Sequence, residues 1–173
     1  KDRGRNVTPC EHIQTAHARN DPITFSRTDS FAAGIAASIA LALYVFTLSP
    51  TVTLEQSGAF VVAADYLGIG RVPGYPLWHL LAHLFTLAFS FVQFRGHPNP
   101  AWATNFMSAF FGALSCGLVA LLVSRVGHGL KDSAHSRNRL TAAAAIAAGL
   151  LFAASHVMWS QSIITETHTL TLF

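Results

Sequence analysis

The sequence has 173 residues, of which 51% are hydrophobic and only 11% are charged. Soluble domains carry about 25% charged residues, so this chain lacks the polar side chains that a surface in water requires. Its mean hydropathy of +0.42 is typical of an integral membrane protein. The net charge of +3 is small and scattered, which argues against a nucleic-acid partner. Cys10 and Cys116 lie in a polar and an apolar segment, and they predict neither a disulfide framework nor a zinc site.

The first part of the chain is a polar segment followed by an apolar run. Residues 1–30 show no periodicity, and we interpret them as a cytoplasmic leader. Residues 31–48 are predicted to be the first membrane span, because eighteen residues give a helix of roughly 27 Å against a hydrocarbon thickness of ~30 Å. The candidate N-caps of this helix are Thr28, Asp29 and Ser30.

Three further apolar runs predict spans near residues 76–92, 106–126 and 140–159. The connections are a predicted external loop at 50–75, a turn-rich linker at 93–103 and a basic loop at 127–139. The predicted fold is therefore all-α, a polytopic integral membrane helical bundle. The chain begins at Lys1 and ends within an apolar stretch, TLTLF, without a helix stop signal. We expect it to be a fragment of a larger membrane protein.

Small residues recur every four positions along the run at 106–126. They form two adjacent edges of the predicted helix: Ala109, Ala113 and Gly117 on one, and Ser108, Gly112, Cys116 and Ala120 on the other. This spacing allows neighbouring helices to approach closely, which favours a multi-span bundle over a single anchor.

The distribution of basic residues conflicts with four full spans. Lysine and arginine number five in the leader, one in 50–75, one in 93–103 and four in 125–139. The positive-inside rule places the leader and the basic loop on the cytoplasmic side, but three complete spans between them would separate the two. The weakest span is 76–92, which is short and framed by prolines. We expect it to be re-entrant or interfacial, so that Glu166 emerges on the same outer side as Glu55.

His79 and His83 lie four residues apart, and so share one face of the predicted helix at 76–92. A histidine pair at this spacing is compatible with a metal ion, but no carboxylate or cysteine lies nearby in the sequence to complete a site. The alternative that we favour is a polar stripe facing other helices, and we predict no metal site.

The loop at 50–75 carries the residues best suited to chemistry. Glu55 lies just beyond the first span, and Asp65 follows on a predicted amphipathic helix, SGAFVVAADYLG. A carboxylate at the membrane boundary is able to act as a general base or to hold a metal that binds phosphate. Arg71 supplies a guanidinium suited to phosphate. Two carboxylates with an arginine fit sugar transfer from a lipid phosphate, whereas solvated boundary charges are the plain alternative.

Three blocks of the sequence resemble one membrane family. The blocks are PTVTLEQSGAFVVAADYLGIGRVPGYPLWHLLAHLFTL, NPAWATNFMSAFFGAL and WSQSIITETHTLTLF, in this order. They are similar to the transmembrane protein 260-like protein O-mannosyltransferases, a family of the GT-C superfamily of multi-span glycosyltransferases. The resemblance covers roughly residues 31–173, and it implies the amino-terminal part of a GT-C-like fold.

The resemblance further implies an enzyme that takes a sugar, such as mannose, from a polyprenyl-phosphate donor to a protein or glycan hydroxyl. Its substrate is the lipid-linked sugar, and no cofactor is implied with certainty. An acid in the first external loop is the catalytic base in such enzymes. Glu55 matches relatives that read Leu-Glu-Asp-Ser-Gly, and Glu166 matches an acidic position in the third block. Arg71 would contact the donor phosphate, and Gln56 and His168 are further candidate substrate-binding residues.

The sequence also departs from the family pattern. Family members typically show Asp-Ser-Gly-Glu where this chain has Gln56-Ser57-Gly58-Ala59, and His-Pro-Pro-Gly where it has Arg71-Val72-Pro73-Gly74. Ala103 replaces an arginine expected before Asn105. Gln56 forms hydrogen bonds but does not accept a proton at neutral pH. Either Glu55 or Asp65 therefore acts as the base, or this copy is a degenerate paralogue.

A different class of function remains open. In a transporter or flippase-like subunit, the histidines at 79, 83 and 168 together with Glu166 would be polar groups along a transport path. For either function the expected surroundings are membrane lipids. The style of the motif favours a bacterial inner membrane, with the endoplasmic reticulum membrane as the alternative.

Overall fold

The structure is a computed structural model, and it describes residues 27–52, 57–68, 75–129, 136–165, 169–170 and 173. Six helices and one short hairpin lie in these ranges. The helices are α1 (Arg27–Phe46), α2 (Ser57–Asp65), α3 (Pro76–Ala88), α4 (Pro100–Gly129), α5 (Ser136–Ala153) and α6 (His156–Ser162). The prediction of an all-α protein with membrane helices is confirmed.

Helices α1, α4 and α5 form the core of the bundle. Near one end of α4, the Ser124 hydroxyl donates a hydrogen bond to the Asp29 carboxylate at the start of α1. Near the middle of α4, the Tyr44 hydroxyl from the end of α1 lies 3.6 Å from the Cys116 sulfur and donates to the Ala153 carbonyl at the end of α5. Helices α1 and α5 therefore run in the same direction, and α4 runs antiparallel to both.

The close approach of these three helices depends on small residues, as the four-residue spacing predicts. A side chain at Gly149 of α5 would meet the Cys116 carbonyl oxygen at 2.9 Å and the Ala36 and Ala120 methyl groups at 3.1 and 3.2 Å. At Gly117 of α4, a side chain would meet the Ala37 methyl group at 3.1 Å. Helix backbones thus touch directly, and the prediction of a packed multi-span bundle is confirmed.

Two helices are long and apolar enough to cross a membrane, α1 and the stretch Pro100–Gly127 of α4. A third crossing is formed if Arg139–Ala153 and His156–Ser162 are counted as one span, although the two are bent by 67°. The predicted continuous span at 140–159 is therefore wrong in detail. The helix ends at Ala153, and Ser155 starts α6 in an extended conformation.

Helix boundaries correct two other expectations. Helix α1 includes Arg27, so Thr28, Asp29 and Ser30 lie in its first turn and not before it. In the predicted linker at 93–103, a hairpin pairs Gln93–Phe94 (β1) with His97–Pro98 (β2). Its turn residues, Arg95 and Gly96, both have positive φ, as in a two-residue type I′ turn.

The start of α4 is also earlier than predicted. The Asn99 side chain accepts a hydrogen bond of 3.2 Å from the backbone N–H of Trp102, which caps the helix. Pro100 then occupies the first helical position, where its missing N–H costs nothing. A proline-rich stretch that resembled a linker is therefore a helix start.

Helix α3 lies against α2 and against the first part of α4. Phe89 packs against Trp102 and Phe106, Phe85 packs against Phe106 and Phe110, and Trp78 clusters with Met107. With 13 residues, α3 is about 20 Å long, which is short for a crossing of ~30 Å. The chain thus leaves α1 and enters α4 at the same end of the bundle.

Candidate functional site

The loop that follows α1 is held by the Asn105 side chain. Its Nδ2 donates to the Ser49 carbonyl at 2.8 Å, and it lies 3.5 Å from the Thr51 carbonyl. Just before the helix, the Asn99 side chain donates to the Pro50 carbonyl at 2.9 Å. Two asparagines of the α4 start therefore fix the beginning of the predicted external loop.

The same side chain also holds the segment that follows α6. The Thr165 hydroxyl donates to Oδ1 of Asn105, and the Thr165 and Thr104 hydroxyl oxygens are 2.9 Å apart. The Ser49 backbone N–H donates to the Ile163 carbonyl at 3.3 Å. The ends of α1 and α6 and the start of α4 thus meet around one amide.

Buried polar side chains meet at this point. Thr104, Asn105 and Thr165 are buried and linked through the Thr165 hydroxyl, and the buried Ser108 hydroxyl donates to the Thr104 carbonyl at 3.4 Å. Polar groups inside an apolar helical bundle are costly unless they are hydrogen-bonded, and they tend to mark functional regions or helix–helix contacts. The described residues therefore place a polar site at the end of the bundle opposite Asp29.

Five of the six sequence-predicted site residues lie outside the described residues: Glu55, Gln56, Arg71, Glu166 and His168. The described residues that flank them are nevertheless informative. Thr51 precedes the segment 53–56, and Ser57 after it is buried. Thr165 directly precedes Glu166. The segment that precedes each predicted acid is thus attached to Asn105.

Asp65 lies at the far end of α2 from that region. It is the last residue of the helix, and it is exposed to solvent. Eight residues at 1.5 Å per residue separate it from Ser57 by about 12 Å. The structure therefore places Asp65 apart from the start of α2, and its role as an alternative base stays a prediction.

Helices α2 and α3 form an aromatic cluster with two histidines. The Phe60 and Trp78 rings meet edge to face at a centroid distance of 5.2 Å, and His79 is 5.3 Å from Trp78. His79 Nδ1 bonds the Tyr75 carbonyl at 2.8 Å, and its buried Nε2 has no hydrogen-bond partner among the described residues. His83 Nδ1 bonds the Ala64 carbonyl at 2.8 Å, near the end of α2.

These contacts fit the polar-stripe interpretation of the histidine pair. His83 satisfies a carbonyl in the last turn of α2, which lacks a partner within its own helix. Among the described residues, no group of three histidine, cysteine, aspartate or glutamate side chains lies close enough to hold a metal ion.

Asn105 and Thr165 were not predicted as site residues from the sequence. Each is a single polar side chain in a segment that is otherwise apolar or interfacial, which is a weak indication of a site. In the sequence, Asn105 is one residue of the second block, and Thr165 is one of several threonines near Glu166. Their importance depends on a contact between residues 60 positions apart.

The fold defines an integral membrane protein with a buried polar site at one end of its bundle. The family model for the "Protein O-mannosyl-transferase TMEM260 N-terminal domain" matches residues 56–173. The chain belongs to this family, and the resemblance drawn from the three sequence blocks is confirmed. Gln56 is the first matched residue, so Glu55 lies one position before the matched range.

Two relatives carry the same name. The mouse "Protein O-mannosyl-transferase TMEM260" is 32% identical over 134 residues, which cover 78% of this chain and 16% of the mouse protein. The Dictyostelium discoideum "Protein O-mannosyl-transferase tmem260" is 30% identical over 81 residues, covering 47% of this chain and 9% of that protein. The chain thus spans less than one fifth of the relatives' length. No solved structure gives a significant match.

Proposed function

We propose that this chain is the amino-terminal part of a membrane glycosyltransferase that transfers a sugar, mannose by analogy with its relatives' names, to a hydroxyl acceptor. The geometry that supports this proposal is the hydrogen bond between the end of α1 and the segment after α6, from Ser49 N–H to the Ile163 carbonyl. It ties together the two segments that lead to Glu55 and Glu166.

In the proposed reaction, the Glu55 carboxylate takes the proton of the acceptor hydroxyl. The acceptor oxygen forms a bond to C1 of the sugar while the bond from C1 to the phosphate oxygen breaks, and a polyprenyl phosphate leaves. Arg71 binds the phosphate through its guanidinium. Glu166 orients the donor or the acceptor, and Gln56 and His168 supply hydrogen bonds to the substrates.

The proposed donor is a polyprenyl-phosphate sugar, which suits a site at the membrane boundary within a GT-C-like fold. The proposed acceptor is a serine or threonine hydroxyl of a protein. The two relatives come from a mouse and a slime mould. They favour the endoplasmic reticulum membrane and give no support to the bacterial inner membrane expected from the motif.

The test uses the full-length protein, purified in detergent, with radiolabelled polyprenyl-phosphate mannose and a peptide rich in serine and threonine. The Glu55→Gln variant should lose at least a hundredfold in transfer rate, because a positioned base contributes roughly 10²–10⁴-fold. Glu166→Gln should also reduce transfer. Glu11→Gln, which removes a carboxylate from the polar leader, should retain the wild-type rate.

The Asp65→Asn variant separates the two candidate bases. If Asp65→Asn abolishes transfer and Glu55→Gln does not, Asp65 is the base. Retention of full transfer in both Glu55→Gln and Glu166→Gln would contradict the proposed site. Membrane insertion of every variant is checked by extraction and gel filtration, so that loss of transfer is not mistaken for loss of folding.

A further inference from the structure

We propose that Asn105 and Thr165 are positioning residues that hold the two acid-bearing segments at a fixed separation. We call the set Ser49, Thr51, Thr104, Asn105 and Thr165 the amide clamp. The inference rests on the proposed function, since it assigns a role toward Glu55 and Glu166. It concerns residues that do not themselves touch substrate.

The Asn105 side chain uses both hydrogen-bonding groups of its amide. Its Nδ2 donates to the Ser49 carbonyl, and its Oδ1 accepts from the Thr165 hydroxyl. The asparagine amide supplies both a donor and an acceptor, whereas leucine supplies neither and an ionised aspartate only accepts. The residue is only 2% exposed, so water does not substitute for a lost partner.

Thr104 relates the position of Thr165 to helix α4. The Thr165 hydroxyl gives its single hydrogen to Asn105, and its oxygen lies 2.9 Å from the Thr104 hydroxyl oxygen. The Thr104 hydroxyl also lies 3.0 Å from the Ala101 carbonyl in the first turn of α4. The segment after α6 is thus held against the start of α4 by two adjacent residues, Thr104 and Asn105.

Two residues of the amide clamp lie close in sequence to the predicted acids. Thr51 lies four residues before Glu55, and Thr165 lies directly before Glu166. The two predicted acids come from parts of the sequence 111 positions apart, and the clamp joins those parts through one side chain. Since a displacement of about 1 Å in a catalytic group costs roughly a hundredfold in rate, a fixed point on the segments that lead to both acids serves catalysis.

The cross-linking test does not depend on enzyme activity. Cysteines replace Glu55 and Glu166 in full-length protein carrying Cys10→Ser, and a short bis-maleimide joins them. We expect efficient cross-linking with the clamp intact and at least a threefold lower yield with Thr165→Val, which removes only the hydroxyl. Thr165→Ser should restore the yield. The matched control is Thr86→Val, since Thr86 is also buried but bonds only the His83 carbonyl of its own helix.

The kinetic test uses the native acids. Thr165→Val should lower kcat at least tenfold while KM for the donor stays within twofold, and Thr165→Ser and Thr86→Val should match the wild type. A cross-linking yield that Thr165→Val leaves unchanged would overturn the clamp, and so would an equal loss with Thr86→Val. If the wild-type protein transfers no sugar, the proposed function fails, whereas the cross-linking yield still decides whether the clamp sets the separation.

Discussion

At the scale of single residues, polar atoms inside the bundle are paired across helices. Tyr44 is fully buried, and its hydroxyl donates to the Ala153 carbonyl at 3.0 Å while its ring meets Trp159 edge to face at 6.5 Å. The sequence shows Tyr44 only as one residue of the first predicted span. Its hydroxyl bonds a carbonyl at the end of α5, where the backbone has no further helical turn to accept from.

Replacing Tyr44 with phenylalanine should therefore destabilise the protein by about 1 kcal/mol. The ring is kept, but the Ala153 carbonyl loses a buried hydrogen bond, and such bonds in membrane proteins contribute roughly 0.6–1.7 kcal/mol. Tyr66→Phe is the matched control, because Tyr66 is 80% exposed. Thermal unfolding in detergent measures both variants, and equal stability of Tyr44→Phe and wild type would show that this bond contributes nothing.

Asp29 illustrates a residue whose type was noticed but whose role was misread. Its position before an apolar run suggested an N-cap, but it lies within the first turn of α1 and is only 3% exposed. It accepts a hydrogen bond from Ser124, which is 95 positions away. A carboxylate in the first turn also interacts favourably with the helix dipole. No local pattern reveals the partner on α4.

At the scale of secondary-structure elements, the spacing of small residues determines how closely the helices pack. The two edges predicted along α4 lie against α1 and α5: Gly117 contacts α1, while Cys116 contacts both Gly149 of α5 and Tyr44 of α1. Without a hydrophobic driving force inside a bilayer, such close contact is a main source of helix association. The spacing of small residues along α4 was predicted from the sequence, whereas the contact with Gly149 was not.

A pair of glycine substitutions tests this packing. Gly149→Ala should destabilise the protein by about 1–3 kcal/mol, because its new methyl group would lie 2.9 Å from the Cys116 carbonyl oxygen. Gly34→Ala on α1 is the control, since a methyl group there meets nothing within 4 Å among the described residues. Gly34→Ala should be neutral, or stabilising by up to ~1 kcal/mol through helix propensity. Equal effects of the two substitutions on thermal unfolding would contradict the packing.

Helix α2 ends in a way that the sequence did not predict. Leu67 adopts a positive φ of 49°, and the Gly68 N–H bonds the Ala63 carbonyl at 2.9 Å. This is the hydrogen bond of a Schellman motif, in which glycine usually occupies the left-handed position. Leu67 occupies that position here, and His83 of α3 bonds the Ala64 carbonyl in the same helical turn. The helix end is thus set by tertiary contact together with local preference.

At the scale of the whole molecule, the arrangement bears on the conflict in basic residues. The end of α1 and the start of α4 meet through the bonds of Asn99 and Asn105 to residues 49–51. The described part of the segment between them contains only short helices and a hairpin. This arrangement supports the expectation that residues 76–92 do not cross the membrane. The leader and the basic loop then lie on one side, as the positive-inside rule requires.

Labelling of single cysteines tests this topology. In intact membranes, Val52→Cys and Arg95→Cys should react with an impermeant maleimide from one side, and Ser133→Cys only from the other. Both Val52 and Arg95 are exposed at the same end of the bundle. Permeabilised membranes provide the control for reactivity. Labelling of Val52→Cys and Arg95→Cys from opposite sides would show that the segment 76–92 spans the membrane.

The sequence by itself determined the class of protein, the family and most of the helices. Apolar composition and run length require a membrane environment, because long uncharged runs satisfy their backbone groups only as helices in lipid. Three ordered blocks of residues were sufficient for the family. These properties are local or nearly so, which is why they are readable along the chain.

The tertiary structure alone decided which segments meet. The bond from Tyr44 to the Ala153 carbonyl and the convergence on Asn105 join residues far apart in sequence. Hydrogen-bond partners inside a bundle are chosen by the packing of whole helices, not by the residues beside them. The loop after α1 was recognisable as a candidate site from its carboxylates, but its connection to the segment before Glu166 required the fold.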